Sequence, residues 1–150
     1  MGGAEGATIG PVDQGRDRTG ARPRLAVVAA VIEREGRFLV TQRLRGTHLE
    51  GRWEFPGGKC EAGESHAEAL TRELREELAV EAVVGRLVHA VTHAYPERIV
   101  ELHFYACAIS AQPVPMLGQQ MQWVARHDLG ALPFPEADAD LIARLMAGAA

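Results

Sequence analysis

Glu73, Glu76 and Glu77 form the most chemically suggestive cluster in the chain. At about 100° per residue of an α-helix, the three side chains share one arc beside an apolar stripe. Like charges four residues apart destabilise a helix by roughly 0.2–0.5 kcal/mol, and by more beside a core. A divalent cation reverses this effect, since Mg²⁺ takes oxygen ligands together with water and substrate phosphates. The alternative is an ordinary solvated acidic face, which charge runs on helices often form.

A helix must carry these acids, and the sequence predicts where it begins. Ser65 followed by Glu68 is a capping box, which predicts a helix start near Ser65. The apolar stripe repeats at helical spacing and consists of Ala67, Leu70, Leu74 and Leu78. Before the helix, Pro56-Gly57-Gly58 predicts a loop that can offer backbone oxygen to a metal ion.

The spacing of these residues closely resembles the Nudix box. The matching positions are Gly58, Glu64, Arg72-Glu73-Leu74, Glu76-Glu77 and Val80. One position departs, because Ala79 stands where the family has a glycine, and we expect a different helix end there. Residues 53–59, WEFPGGK, resemble the segment that leads into the box in MutT-like nucleotide hydrolases. The likeness extends, more weakly, over residues 25 to 145.

The resemblance implies a metal-dependent hydrolase of nucleoside diphosphate derivatives. It implies Mg²⁺, with Mn²⁺ as an alternative, bound by the carboxylates of Glu73, Glu76 and Glu77 and by the backbone carbonyl of Gly58. Of these, Glu73 and Glu77 are the implied catalytic residues.

Other positions of the box have an implied structural role, and one expected acid is missing. Glu64 and Arg72 are implied to pair and hold the loop against the helix. Relatives often bring a further acid into the metal cluster from the loop before the last strand, but no Asp or Glu lies between Glu101 and Asp128. We therefore expect Glu73 to act as the base, or Glu77, or water to complete the site.

The resemblance also implies contacts between the nucleotide and residues outside the acid cluster. These residues are Arg43, Phe55, Lys59, Arg98 and Asp138. For Arg43 the alternative is an ordinary surface arginine, and for Phe55 it is core packing. Asp138 stands where relatives read the base, but it also lies in the first turn of a predicted helix, where negative charge is favourable.

The remaining elements predict a mixed α/β domain. Strands are predicted at residues 25–32, 37–42, 83–91, 99–109 and 122–125, with a loop at residues 92–98 between the third and fourth. A short helical turn at residues 128–132 and a C-terminal helix follow. Propensity alone gives no more than one mixed α/β domain. The resemblance implies the Nudix α/β/α sandwich, an α/β (α+β) fold with a mixed central sheet, a loop-helix-loop and a C-terminal helix.

Composition narrows the class of protein. The 150 residues fit one domain, which we expect at residues 24–150 after a disordered leader at residues 1–23. A net charge of −4 argues against a nucleic-acid-binding surface, so no stable nucleic-acid complex is expected. The two cysteines lack the spacing of a disulfide framework or zinc site and fit a cytoplasmic protein. No run is long enough to span a membrane, and a monomer or homodimer is expected.

The leading functional prediction is a MutT-like nucleoside triphosphate pyrophosphohydrolase that removes 8-oxo-dGTP or a related damaged nucleotide. Such an enzyme releases a monophosphate and pyrophosphate, and would serve nucleotide-pool sanitisation and DNA repair. The near alternative is a pyrimidine substrate such as CTP or dCTP, and the farther one is ADP-ribose. A different class is a non-catalytic nucleotide-sensing module, which the complete set of box glutamates argues against.

Overall fold

Strand β1, Arg24–Arg34, organises the sheet. In the computed structural model, which describes residues 22–148, one edge of β1 pairs in parallel with β6, Arg98–Ile109. The other edge pairs antiparallel with β4, Gly57–Lys59, and further along with β2, Arg37–Gln42. β1 therefore brings the glycine-rich segment at residues 57–59 next to the centre of the sheet.

The outer strands complete a mixed seven-stranded sheet. Strands β3, Trp53–Glu54, and β7, Met121–Ala125, both pair with β2. Strand β5, Ala82–Tyr95, pairs antiparallel with β6. The main order is β3-β2-β1-β6-β5, with β4 beside β1 and β7 beside β2.

Helices cover both faces of the sheet, which confirms the predicted α/β/α sandwich. Helix α1, His66–Leu78, packs on one face. Helix α2, Ala139–Met146, follows two 3₁₀ turns at Arg126–Ala131 and Glu136–Asp138 and packs on the other. Successive residues of a strand point to opposite faces, so β1 supplies Val28 to the α1 side and Ala29 to the α2 side.

Helix α1 begins as predicted. The Ser65 hydroxyl accepts a hydrogen bond from the Glu68 N–H at 3.1 Å, and the Glu68 carboxylate accepts one from the Ser65 N–H at 2.9 Å. The buried stripe contains Ala69 in place of the predicted Ala67, which is exposed.

The expectation of a different helix end at Ala79 is wrong. Ala79 adopts the left-handed conformation, with φ 57° and ψ 38°, and its N–H donates to the Arg75 carbonyl at 3.0 Å. The left-handed conformation is less favourable for alanine than for glycine by roughly 1 kcal/mol. The core fixes the reversal, because Leu78 and Val80 on either side of Ala79 are both buried.

The loop predicted at residues 56–58 is partly a strand, since β4 begins at Gly57. A Cβ atom at Gly57 would lie 2.0 Å from the Val28 carbonyl oxygen, so only glycine allows β4 to approach β1 this closely. The loop predicted at residues 92–98 is also shorter, because the ladder of β5 and β6 continues to the pair Tyr95 and Arg98.

Most of the predicted leader, residues 1–21, lies outside the described residues. At the start of the described range, the Pro23 carbonyl accepts a hydrogen bond from the Ile99 N–H at 2.9 Å. Between residues 22 and 148, no helix has the length and apolar character needed to cross a membrane.

Candidate active site

A cavity of about 550 Å³ opens where β1, β3, β4 and α1 meet the β5–β6 hairpin and the 3₁₀ turn before α2. It has two chemically different ends. The acidic end is lined by Glu54, Gly58, Lys59, Glu73 and Glu77. The apolar end is lined by Phe55, Tyr95, Leu102, Phe104 and Asp138. The fold thus joins residues distant in sequence into one elongated site.

Glu73 and Glu77 lie one helical turn apart on α1, and their carboxyl groups are hydrogen-bonded to each other. Burial raises the pKa of both groups, and for Glu77 burial and the neighbouring Glu73 raise the pKa to about 9. A backbone hydrogen bond from Gly57 opposes the shift at Glu77. Without a cation, this pair therefore holds a proton at neutral pH.

Gly58 leaves the space that the Glu73 carboxylate occupies. A Cβ atom at Gly58 would lie 2.4 Å from Cδ of Glu73, a distance that real atoms do not adopt. The donors gathered here are carboxylate and backbone oxygens, which are the ligands that Mg²⁺ and Mn²⁺ prefer. The oxygen donors of the acidic end therefore suit a hard divalent ion.

Glu76 does not join this pair. Its side chain is 59% exposed and lies 3.4 Å from the Arg72 guanidinium, and it does not line the cavity. Among residues 22–148, no three His, Cys, Asp or Glu side chains are grouped so as to hold a metal ion. The helical arc places the three glutamates together, but the ion pair with Arg72 holds Glu76 toward solvent. Metal ligation by Glu76 would need its side chain to leave Arg72 and remains a prediction.

Arg72 ties the box loop to the helix. Its Nε and Nη2 donate to the two Glu64 carboxylate oxygens at 2.6 and 2.9 Å, and Nη2 also donates to the Lys59 carbonyl at 3.1 Å. The paired Arg72 lowers the pKa of Glu64, and Glu64 raises the pKa of Arg72. Since Arg72 Nη1 also reaches Glu73 at 3.1 Å, the pair indirectly positions the Glu73 carboxylate.

Glu54 is an acid at this site to which the sequence analysis gave no role. Arg43 donates from Nη1 to the Glu54 carboxylate at 3.0 Å and from Nε to the His48 carbonyl at 2.5 Å. Burial raises the pKa of Glu54, although Arg43 opposes the shift. Its position directly before Phe55 in the WEFPGGK segment is the sequence signal that could have singled it out.

The loop that lacks an acid is held by an amide. Gln119 is buried, and its side chain accepts from the Leu117 N–H at 2.9 Å and donates to the Glu77 carbonyl at 3.2 Å. These bonds fix the loop to the end of α1 without adding charge. Glu54, which comes from β3, lines the same cavity, and its charge acts on Glu77.

Phe55 both packs in the core and lines the cavity. It is buried, stacks on Phe134 at a ring-centroid distance of 5.5 Å and meets Phe104 edge-on at 6.0 Å. The two roles that the sequence left open for Phe55 are thus compatible. Tyr95 also lines the cavity and meets the ring of His48 edge-on at 4.9 Å. Sequence reasoning missed Tyr95 and His48, because only the tertiary fold brings this strand and loop together.

Asp138 closes the apolar end and is 5% exposed. Burial, and to a lesser degree the charge of Glu54, raise the pKa of Asp138 to about 7. It occupies the N-cap position of α2 yet makes no capping hydrogen bond. The other predicted contact residues, Arg43, Lys59 and Arg98, also line the cavity.

The comparisons with known proteins agree with this geometry. Residues 27–144 match the model of the NUDIX domain family. The 8-oxo-dGTP diphosphatase of Haemophilus influenzae is 40% identical over 81% of this chain and 91% of its own length. The CTP pyrophosphohydrolase of Escherichia coli is 38% identical over 82% and 92%. The MutT protein of Methanosarcina mazei has a similar crystal structure, with a TM-score of 0.77 and 25% identity over 85% of this chain and 96% of that one.

The chain therefore belongs to the Nudix family and is a MutT-like Nudix hydrolase, as its sequence predicted. Hydrolases of this family generally need a divalent metal ion, which agrees with the oxygen donors of the acidic end.

Proposed function

We propose that this enzyme hydrolyses a nucleoside triphosphate to a monophosphate and pyrophosphate, with an oxidised purine nucleotide such as 8-oxo-dGTP as the favoured substrate. One observation carries the proposal: a single cavity has oxygen donors for a metal ion at one end and aromatic walls with a buried carboxyl group at the other. This division matches a substrate with a polyphosphate at one end and a base at the other. The similarity to an 8-oxo-dGTP diphosphatase supports the choice of base.

The acidic end would bind the triphosphate through Mg²⁺, or Mn²⁺, held by Glu73, Glu77 and the Gly58 carbonyl, with Glu76 after rotation of its side chain. A bound divalent ion neutralises charge on phosphate oxygens and lowers the pKa of a bound water. Lys59 and the remaining donors of Arg43 would contact the phosphates. Water attacks phosphorus, the P–O bond between the α- and β-phosphoryl groups breaks, and Glu73 or Glu77 accepts the water proton.

The apolar end would hold the nucleoside. Phe55 lies against the base, Arg98 lies near the nucleotide, and Asp138 reads the base edge by hydrogen bonds. A pyrimidine triphosphate is the second candidate, supported by the similarity to a CTP pyrophosphohydrolase. We expect a cytoplasmic enzyme that acts without a nucleic-acid partner.

The test is pyrophosphate release from 8-oxo-dGTP, dGTP, dCTP and CTP with Mg²⁺, with and without a chelator. We expect chelator-sensitive turnover that favours 8-oxo-dGTP. The Glu81→Gln variant is a matched control for Glu77→Gln, since Glu81 is exposed and pairs with Arg75 away from the cavity. Faster hydrolysis of ADP-ribose than of every triphosphate would contradict the proposal.

A further inference from the structure

The Asp138 carboxyl group is buried at the cavity wall without a partner. It accepts no hydrogen bond within residues 22–148, and it does not cap the helix that it precedes. A buried carboxylate without a donor or a cation is costly, so the neutral acid is favoured. This environment gives Asp138 two accessible protonation states near neutral pH, and burial places its pKa at about 7.

The charged and titratable groups around Asp138 leave both of its protonation states accessible. Glu54 on β3 opposes ionisation of Asp138, and Arg43 is already committed to Glu54. Burial, and to a lesser degree the charges of Asp138 and Glu136, raise the pKa of the Tyr95 phenol on β5, so Tyr95 stays neutral. Burial and the nearby arginines lower the pKa of His48 on the facing loop. Arg98 on β6 lines the same cavity.

The two states of a carboxyl group recognise different base edges. A carboxylate only accepts hydrogen bonds, whereas the acid donates one and accepts another. Guanine offers two adjacent donors, its N1–H and its 2-amino group, which suit a carboxylate. Cytosine offers an acceptor, N3, beside a donor, its 4-amino group, and therefore needs the acid. The acid can also pair with guanine through O6 and N1–H, so guanine binds to either form.

We propose that a proton on Asp138 admits cytosine-type bases, whereas guanine-type bases bind whether or not that proton is present. The inference rests on the proposed function, in that a nucleotide base occupies the apolar end. The chain is similar both to an 8-oxo-dGTP diphosphatase and to a CTP pyrophosphohydrolase, whose names indicate one guanine-type and one cytosine-type substrate. Raising the pH would then narrow the substrate range toward guanine and its 8-oxo derivative, which carries the same two donors.

The test measures binding of the products dCMP and dGMP at fixed Mg²⁺ from about pH 6 to pH 8. If only the acid binds cytosine, the dissociation constant of dCMP rises about tenfold over this range, following the fraction of protonated Asp138. The dissociation constant of dGMP changes by no more than about twofold over the same range. Both dissociation constants are first corrected for ionisation of the nucleotide phosphate, which affects the two probes equally. Equal changes for both nucleotides, or no binding of either, would overturn the inference.

The Asp138→Asn variant sharpens the test. Its amide carries a fixed donor and a fixed acceptor, so dCMP should bind with no pH dependence beyond that of dGMP. Asp140→Asn is the matched control, because Asp140 is exposed two residues further along α2, and it should behave like the unaltered protein. A pH dependence that persists in Asp138→Asn would overturn the inference. These binding measurements do not depend on turnover. If no triphosphate is hydrolysed but dCMP binding follows the predicted pH dependence, only the proposed function is contradicted.

Discussion

The acidic end of the cavity comes mainly from residues 57–61 and helix α1, joined by Glu54 of β3, whereas the apolar end gathers Phe55 and side chains from β5, β6 and the turn before α2. The acidic end contains groups whose burial is unfavourable unless a cation compensates them. The apolar end contains one such group, Asp138, among aromatic and aliphatic walls. This difference indicates that the chemistry is fixed locally, while base selection can change through distant elements without disturbing it.

Removing a carboxylate from the acidic end should have the largest effect. Glu77→Gln should lower kcat by at least about 10³-fold, as expected when a charge-stabilising group of phosphoryl transfer is lost. The same change should raise the melting temperature of the metal-free protein, because a neutral glutamine does not need the proton that buried Glu77 must take up on folding at neutral pH. Steady-state kinetics and calorimetry measure the two effects. Turnover equal to that of the Glu81→Gln control would show that Glu77 takes no part in the chemistry.

Substitutions at the adjacent glycines Gly57 and Gly58 test whether the position of the Glu73 carboxylate can be changed separately from the stability of the fold. Gly58→Ala should lower kcat about 10²-fold, since its Cβ would displace the Glu73 carboxylate. Gly57→Ala should mainly destabilise the fold, since its Cβ would meet the backbone of Val28. Melting temperatures and kcat of both variants separate the effects. If Gly58→Ala lowers the melting temperature as much as Gly57→Ala does, Gly58 supports the fold rather than the position of the Glu73 carboxylate.

The metal-free protein should lose stability as pH rises. The pKa of Glu77 is about 9 in the folded state and lower in the unfolded state, so the folded state binds the proton more tightly. The free energy of unfolding therefore decreases as the pH rises from the unfolded pKa to the folded pKa. We expect the melting temperature to fall by at least roughly 3–6 °C from about pH 5 to pH 9, since each unit of pKa difference between the folded and unfolded states contributes about 1.4 kcal/mol. Thermal melts with and without Mg²⁺ measure this, and Mg²⁺ should flatten the profile. A melting temperature that rises over this range contradicts the burial of these acids.

Changes toward the apolar end should affect binding more than turnover. Arg98→Gln should raise KM for a triphosphate about tenfold while kcat stays within about twofold, as expected for one lost charge-assisted contact. Arg86→Gln, at an exposed position of β5, is the control. Measuring kcat and KM with 8-oxo-dGTP distinguishes the two parameters. A fall in kcat with unchanged KM would place Arg98 with the reacting groups.

Restoring glycine at the end of helix α1 should have the smallest effect. Ala79→Gly should stabilise the protein by about 0.5–1 kcal/mol, because glycine adopts the left-handed conformation without strain. Activity should not change, since Ala79 does not line the cavity. Denaturant unfolding measures the gain. A loss of activity would mean that the strained helix end contributes to the position of Glu77.

The residue sequence alone determined the elements whose causes are local. The capping box fixes the start of α1, the glycine and glutamate spacing identifies the box, and a continuous apolar run identifies the central strand. β4 was missed because a strand with two glycines has no apolar alternation, and pairing with β1 alone makes it a strand.

Only the tertiary structure decided which acids face the cavity. Glu76 lies on the predicted arc but turns toward Arg72, whereas Glu54 arrives from a separate strand. The burial that raises the pKa of Asp138 depends on packing among segments far apart in the chain. Helical spacing fixes the direction of a side chain along its own element, but desolvation and proximity depend on what other elements place against it.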